Sequence, residues 1–275
     1  MKIPPALPRQ MTARQRTEQM FHDGWARSLH IEELAVRESF EAETALENRH
    51  AYAWFGDMRG KRMLDLGCGA GETSVFFALQ GAQVTATDLS FEFVHIVRQL
   101  AERHNVQVQT VQVPGEKLCF ADNTFDYVFG NGVLHHLDFE PAAREIARVL
   151  KPGGRAAFVE PLPYNPVIEV YRHLAKTVRT PDETPFRFRQ LRTLRSLFQE
   201  VHHREFWLAS LLVFIYFFAI ERAHPSKERY WKKIIVESPR YTWLFRPLNA
   251  FDRVVLKVFP PIRYLCWNTV LTLVK

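Results

Sequence analysis

Residues 64–71 read Leu64-Asp65-Leu66-Gly67-Cys68-Gly69-Ala70-Gly71, and this stretch decides the fold. The apolar run Met63 to Leu66 predicts a strand and Glu72 to Gln80 predicts a helix, so the three glycines lie in the loop between them. Such a loop lets backbone N–H groups at a helix N-terminus approach a ligand closely. Asp88 ends the next predicted strand, where an acid can bind two ribose hydroxyls. We therefore predict a nucleotide-type cofactor site.

The spacing of the glycines indicates which class of cofactor the loop binds. A dinucleotide fingerprint needs Gly-x-Gly-x-x-Gly, and Glu72 stands where its third glycine would be. A pyrophosphate is therefore not expected. An acid at Asp65 followed by Gly67-x-Gly69-x-Gly71 resembles the first motif of the class I, Rossmann-like methyltransferases, which use S-adenosylmethionine.

Two later segments extend this resemblance. Phe125 to Gly130 predicts a buried strand opened by an acid, and Glu145 to Gly154 predicts an amphipathic helix stopped by Pro-Gly-Gly. A further predicted strand, Arg155 to Glu160, follows at once. Both segments are similar to the fourth-strand and post-helix motifs of the same family, so that the resemblance covers Arg59 to Pro163.

The expected fold is α/β, a Rossmann-like, mostly parallel twisted sheet with helices on both faces. We expect a helical N-terminal cap over residues 1–58, the cofactor-binding core over 59–163, and a substrate-cap insertion with a helical, basic and aromatic extension over 164–275, packed on the core. The cap is predicted to be helical from Arg9 to Trp54, where one apolar stripe consists of Met20, Phe21, Trp25 and Leu29. This segment either covers the cofactor pocket, as the resemblance implies, or packs without touching a ligand.

The resemblance also implies roles for individual residues. Asp65 would steady the loop and help the methionine ammonium, the glycines would leave room for methionine and ribose, and Asp88 would take the ribose hydroxyls. Pro114 stands where an adenine-contacting acid is expected, so Glu116 or backbone N–H groups would serve instead. Asn131 would line the sulfonium end, and Cys68 is interpreted as a small residue that fits. The complete predicted cofactor set is Asp65, Gly67, Cys68, Gly69, Gly71, Asp88, Leu89, Glu116 and Asn131.

Three residues are candidates for catalysis. His135 and His136 follow the fourth predicted strand, and an imidazole that titrates near neutrality can remove a proton from the acceptor. Glu160 ends the fifth strand and is expected on the substrate side. The structural alternative is that a histidine here only braces the loop. No cluster of His, Asp and Glu has metal-ligand spacing, so no metal is predicted.

Charge divides the chain in two. Residues 1–186 contain 20 basic and 24 acidic residues, whereas residues 187–275 contain 16 and 6, a net charge of +10. Three cysteines are too few and scattered for a disulfide framework, and the N-terminus lacks the apolar core of a secretory signal. These features predict a cytoplasmic protein.

The apolar segments of the basic region have two interpretations. Phe206 to Ile220 is free of charge, and as a helix it would span about 22 Å, too short for the ~30 Å hydrocarbon core of a bilayer. It is either a buried or substrate-enclosing helix or an interfacial segment on lipid, which would place the protein at the inner face of a membrane. The amphipathic stretch Phe251 to Val258 favours the second.

The function predicted from these features is S-adenosylmethionine-dependent methyl transfer to a small, lipophilic acceptor. The connection Pro161 to Pro185 contains several prolines, and both it and the region after it are apolar. This apolar character favours such an acceptor. The alternative is a silent module that binds the cofactor and docks on a membrane or partner. A nucleic-acid methyltransferase ranks last, because Asn131-Gly132-Val133-Leu134 replaces the motif that grips an extruded base, and no nucleic-acid partner is predicted.

Overall fold

The computed structural model of the protein describes residues 11–174 and 183–275. Its centre is a twisted sheet of seven strands with the order β3-β2-β1-β4-β5-β7-β6. The strands are β1 Arg62–Leu66, β2 Gln83–Asp88, β3 Val108–Gln112, β4 Phe125–Asn131, β5 Leu150–Pro161, β6 Glu200–Phe206 and β7 Asn268–Val274.

The first five strands are parallel, and β7 lies antiparallel between β5 and β6. The chain runs outward from β1 in both directions, first to β2 and β3 and then to β4 and β5. At such a reversal of strand order, the loops after β1 and β4 separate and leave a crevice at the carboxyl edge of the sheet. The predicted site residues lie at this edge.

Helices cover both faces of the sheet, and residues of β1 alternate between the two apolar cores. Met63 belongs to the core beneath α3 (Leu46–Phe55), α4 (Glu72–Leu79) and the C-terminal helices, whereas Leu64 belongs to the core beneath α6 (Phe139–Val149) and α8 (Leu191–Leu197). The predicted α/β fold is confirmed. The helices are α1 Ala13–Ala26, α2 Glu38–Glu41, α3 Leu46–Phe55, α4 Glu72–Leu79, α5 Phe91–Arg103, α6 Phe139–Val149, α7 Pro166–Leu174, α8 Leu191–Leu197, α9 Leu212–Ala219, α10 Tyr230–Val236 and α11 Ser238–Val258.

The N-terminal region is helical, but its predicted stripe is only partly correct. The helix α1 begins at a capping box formed by Thr12 and Gln15 and ends at Ala26, before Leu29. Met20 is 75% exposed, because the face that α1 turns toward the sheet is centred on Glu18 instead. Residues 1–10, which include the predicted start of the helical region, lie outside the described residues.

The C-terminal region contributes strands as well as helices. β6 and β7 complete the sheet, so the division expected at residue 163 does not mark the end of the sheet. The charge-free run 206–220 is not one helix: Phe206 ends β6, and the α-helix within the run covers only Leu212–Ala219. Among the described residues, no helix is both long and apolar enough to cross a bilayer.

Candidate active site

The glycine loop joins β1 to α4 as the sequence predicts. Gly71 has φ +88° at the N-cap position of α4, and a Cβ there would lie 2.7 Å from Val97 Cγ2, so the position needs glycine for packing. Gly69 has φ +50°, and a Cβ there would meet no atom within 4 Å. The loop is therefore closely packed at Gly71, whereas the space next to Gly69 is open.

Two carboxyl groups flank the loop, at the ends of β1 and β2. Asp88 accepts hydrogen bonds from the N–H groups of Gly69 at 3.0 Å and Ser90 at 2.8 Å. Asp65 is buried and accepts a hydrogen bond from the Ser74 hydroxyl at 2.5 Å. Burial raises the pKa of Asp65 to about 7, with the Ser74 bond acting against it, and burial likewise raises the pKa of Asp88. Asp88 thus fixes the loop and still lines the space above it.

The other predicted cofactor residues line the same cavity. Burial raises the pKa of Cys68 well above its ordinary value, so its thiol stays protonated, in agreement with a space-filling role. Glu116 accepts hydrogen bonds from Gln15 Nε2 and the Asp138 N–H, both at 3.1 Å, and so ties α1 to the β4–α6 side. Asn131 donates a hydrogen bond to Asn48 Oδ1 at 3.0 Å. Their assignment to cofactor contacts stays a prediction.

The cavity has a volume of about 440 Å³ and extends from the glycine loop under α1 toward the C-terminal helices. All nine residues of the predicted cofactor set except Gly71 line it. Its loop end combines the acid at Asp88, the open backbone at Gly69 and the N-terminus of α4. These features fit S-adenosylmethionine, whose ribose hydroxyls need an acid and whose methionine end needs a close backbone approach.

The structure brings the three predicted catalytic residues close together but gives Glu160 a different place. Glu160 is fully buried and does not line the cavity, so the expectation that it faces the substrate is wrong. Its Oε1 accepts hydrogen bonds from the N–H groups of Val133 and Leu134, and its Oε2 lies 2.8 Å from His135 Nδ1. Burial raises the pKa of Glu160 to about 7. Glu160 therefore holds the loop after β4 and orients His135.

His136 is oriented by residues that sequence reasoning missed. Its Nδ1 lies 3.1 Å from Glu18 Oε2, and His22 Nε2 lies 3.4 Å from the same oxygen. Glu18 and His22 are one turn apart on α1, and Glu18 is buried whereas the other charged residues of α1 are exposed or half-buried. A glutamate and a histidine four residues apart in a predicted helix are a weak signal, because such pairs are common on solvated helices.

These residues also meet the distance requirement for a metal. Two groups of described residues, Glu18-His22-His136 and His135-His136-Glu183, offer ligand atoms within 4.8 Å of one another. Each imidazole of the first group already faces the Glu18 carboxylate at ion-pair distance, which a protonated ring nitrogen satisfies. That no metal is needed stays a prediction.

The far end of the cavity combines apolar and aromatic side chains with the cations Arg172, Arg229 and Lys232. Arg229 places its guanidinium carbon 3.6 Å from the centre of the Trp25 ring, and burial lowers the pKa of Arg229. The surrounding apolar side chains come from α1, α7, α10 and the segments that flank β6 and β7. The residues are Phe21, Trp25, Ile168, Tyr171, Trp207, Ile234, Ile235 and Trp267.

Comparison with known proteins supports the assignment of the loop end. Residues 64–158 match the family model described as a methyltransferase domain. The chain contains a class I methyltransferase domain. A solved structure of phosphoethanolamine N-methyltransferase 2 of Haemonchus contortus, which shares this fold at 19% identity, contains S-adenosyl-L-methionine, the cofactor that the sequence predicts here.

The relatives of the methyltransferase domain are named for different activities. The chain is 33% identical over 123 residues to an uncharacterized methyltransferase, YcgJ, of Bacillus subtilis, which covers 44% of this chain and 49% of that protein. It is 32% identical over 139 residues to a sterol 24-C-methyltransferase of Gibberella zeae, covering 49% and 37%. It is 41% identical over 102 residues to a ubiquinone biosynthesis O-methyltransferase of Xanthomonas oryzae, covering 36% and 42%. The chain thus matches less than half the length of each relative.

Among solved structures, phosphoethanolamine N-methyltransferase 2 of Haemonchus contortus is similar over 98% of this chain and 61% of its own, with a TM-score of 0.60 and 19% identity. At that identity the likeness shows the fold alone. The fold of the methyltransferase domain therefore extends through β6 and β7, well beyond the residues that match the family model.

Proposed function

We propose that this chain is a methyltransferase that uses S-adenosylmethionine to methylate a small, lipophilic acceptor. The observation that supports the proposal is that Gly69, Asp88 and His136 line one cavity. When bound, the cofactor supplies a sulfonium-activated methyl group for in-line displacement. The protein then mainly has to hold the acceptor in line and accept its proton, and such orientation is worth ~7–11 kcal/mol of barrier.

His136 is the proposed base. A carboxylate next to Nδ1 favours the tautomer with the proton on Nδ1, so that Nε2 carries the lone pair that can accept a proton from the acceptor. Glu18, held almost fully buried on α1, supplies this carboxylate. His135 has a comparable partner in Glu160, but that pair lies deeper, under the loop after β4. We therefore assign proton transfer to His136 and a positioning role to Glu160.

The acceptor end of the cavity supports a lipophilic acceptor with a polar group. Its walls contain Trp25, Trp207 and Trp267, and Arg229 lies over the first of these rings. An arginine on an aromatic face keeps its donors directed to a polar or anionic group. Two relatives are a sterol 24-C-methyltransferase and a ubiquinone biosynthesis O-methyltransferase, which is consistent with this chemistry. Such acceptors reside in membranes, so the proposal includes a membrane contact of the C-terminal region and a location at the inner face of that membrane.

The test uses S-adenosylmethionine labelled in its methyl group, the purified chain and a lysate of the source cells. Organic-soluble, aqueous and macromolecular fractions are then counted separately. Label in the organic fraction is expected. Label confined to the aqueous or macromolecular fraction would retain the enzyme and overturn the acceptor class. Cofactor binding without any label would identify a silent module.

The proposed base is tested by His136→Asn, which keeps a polar side chain but cannot accept the proton. We expect turnover of the isolated acceptor to fall by about 10²–10⁴ while cofactor affinity is unchanged. Glu18→Gln should shift the pH profile of turnover as well as lower it, because Glu18 acts through His136. His224→Asn, at an exposed position, is the matched control. Unchanged turnover in His136→Asn would refute its role as base.

A further inference from the structure

The exposed apolar side chains of this protein are concentrated in one part of the chain. Among the described residues, Met20 and Phe91 are the exposed large hydrophobic side chains that precede residue 166, and all the others lie beyond it. Soluble surfaces tolerate scattered apolar residues, whereas a continuous patch marks a surface that another body covers. The distribution therefore points to a contact surface formed by the C-terminal helices.

The longest of these helices, α11, presents an apolar stripe to solvent. Trp243, Phe251, Val254 and Val258 are 64%, 55%, 61% and 77% exposed. At 100° per residue these four positions fall within an arc of about 80°. They therefore form one continuous line along the helix, which we call the α11 stripe.

The orientation of α11 is fixed by a buried acid on its opposite side. Asp252 is 3% exposed and accepts hydrogen bonds from the N–H groups of Leu208, Ala209 and Ser210 and from the Ser210 hydroxyl. Rotating α11 to bury its valines would bring this carboxylate out and leave those three N–H groups without their acceptor. The exposure of the α11 stripe is thus imposed by the fold.

The neighbouring helix α9 extends the apolar surface. The rings of Tyr216 on α9 and Trp243 on α11 lie 6.0 Å apart, which places the two helices side by side. Leu212, Ile215 and Phe218 of α9 are each about half exposed. Together with the α11 stripe they form a single surface, which we call the docking face.

The charges beside the docking face identify what covers it. Arg246, Arg253 and Lys257 form a row along one flank of the α11 stripe, within an arc of about 40°. Arg246 pairs with Glu43 at 2.7 Å, so the basic character of this flank rests on Arg253 and Lys257. Apart from buried Asp252, α11 has no acidic residue. An apolar stripe with a basic flank is the pattern of helices that lie in a membrane interface, because anionic headgroups attract the basic side chains while the apolar ones enter the acyl boundary.

We infer that the docking face binds the surface of a bilayer that contains anionic lipid. The docking face would make the membrane contact that the proposed function includes. Any role of this face in delivering the acceptor rests on that proposed function. The helices α7 and α10 each place some residues on the cavity wall, such as Ile168 and Ile234, and others outside, such as Val167 and Val236. The acceptor end of the cavity is therefore walled by the same C-terminal region that contacts lipid.

The experiment measures co-sedimentation of the full chain with vesicles of phosphatidylcholine alone and of phosphatidylcholine with phosphatidylglycerol. We expect binding to the mixed vesicles, weakened at high salt. The double variant Val254→Asp with Val258→Asp should weaken binding on the order of tenfold or more. Phe91→Asp replaces an equally exposed apolar residue on α5, outside the docking face, and should bind like the wild type.

Each outcome bears on the inference without depending on catalysis. Cofactor affinity and methylation of a detergent-dispersed acceptor are measured on the same variants, and both should be unchanged because these residues do not line the cavity. Equal vesicle binding by the double variant and the wild type would overturn the inference, as would no binding by the wild type. A wild-type dimer in sedimentation velocity that the double variant abolishes would show that a second copy covers the face instead of lipid.

Discussion

The glycine loop and helix α11 differ in where their apolar residues lie. At the loop, the apolar residues of β1 are buried together with the acid Asp65, and the polar atoms of Gly69 and Asp88 face a cavity. Helix α11 also buries an acid, Asp252, but its valines at 254 and 258 face solvent. Apolar side chains are thus buried at the loop, whereas a row of them is exposed along α11.

The difference shows what local sequence determines. A strand, a glycine loop and a helix fix their own geometry, because positive φ values and close packing leave few alternatives. The sequence of an amphipathic helix determines only that the helix has one polar and one apolar face. Which face turns inward depends on what the rest of the fold offers, and here residues 208–210 offer three backbone N–H groups to the acid.

The largest effect that separates the two regions is expected from Gly69→Val. The new side chain would occupy the open space above the loop and would also strain the backbone at φ +50°. Isothermal titration calorimetry with S-adenosylmethionine should then show no binding. Gly24→Val is the matched control, since a Cβ at exposed Gly24 also meets no atom within 4 Å and this residue does not line the cavity. Retained affinity in Gly69→Val would remove the loop from the cofactor site.

The second test concerns α11 and its buried acid, Asp252. Asp252→Ala leaves the N–H groups of residues 208–210 without an acceptor, which should lower the free energy of unfolding by about 2–4 kcal/mol. Urea denaturation measures this change. Arg253→Ala alters the adjacent exposed residue and should have little effect on stability. If both variants unfolded alike, α11 would not be held in register by its buried acid.

The smallest effect is expected in the pH dependence of the free energy of unfolding, to which Glu160 at the carboxyl edge of the sheet contributes. Burial raises the pKa of Glu160 from 4.5 to about 7, so the folded protein keeps this proton in a range where the unfolded chain releases it. The contribution of Glu160 to the free energy of unfolding is therefore full below pH 4.5 and is lost as the pH rises to about 7.

Glu160→Gln cannot ionise and should show a shallower fall in the free energy of unfolding between pH 4.5 and 7. Asp65 has a similarly raised pKa, so a residual slope should persist. Glu140→Gln, at an exposed position on α6, is the control and should follow the wild type. Parallel curves for Glu160→Gln and the wild type would mean that this carboxyl group is ionised in the folded protein at lower pH.

The sequence predicts the local geometry of the glycine loop and little of the far end of the cavity. Residues 62–88 form contiguous elements whose order dictates their contacts, so Gly69 and Asp88 follow from their spacing, and Asp65 follows from the resemblance to the methyltransferase motif. Glu18 and Arg229 reach the same cavity from distant segments, and nothing local distinguishes them from solvated charges. Glu160 was placed at the correct strand end, but only the neighbouring N–H groups of Val133 and Leu134 show that it points away from the cavity.

The two C-terminal strands escape prediction for a related reason. Pairing of β6 with β7 joins residues about seventy positions apart, and Val201 and Leu273 contact through a register that no local pattern records. The run 206–220 was treated as one helix because its composition is uniform. The chain reverses at Trp207, which has φ +66°, a conformation that composition does not predict.

The position of α1 has a consequence for the speed of the reaction. α1 lies over the cavity, yet its buried residues are only Glu18 and Ala26. Polar contacts such as Gln15 to Glu116 and Ser90 to Asp23 attach the rest of it, together with the half-buried Trp25 ring packed on Phe93. A segment with so little apolar burial opens at a small fraction of the global unfolding free energy, on the microsecond-to-millisecond timescale typical of active-site lids. We therefore expect the departure of the spent cofactor to follow the opening of α1, whose amide hydrogens should exchange faster than those of α4.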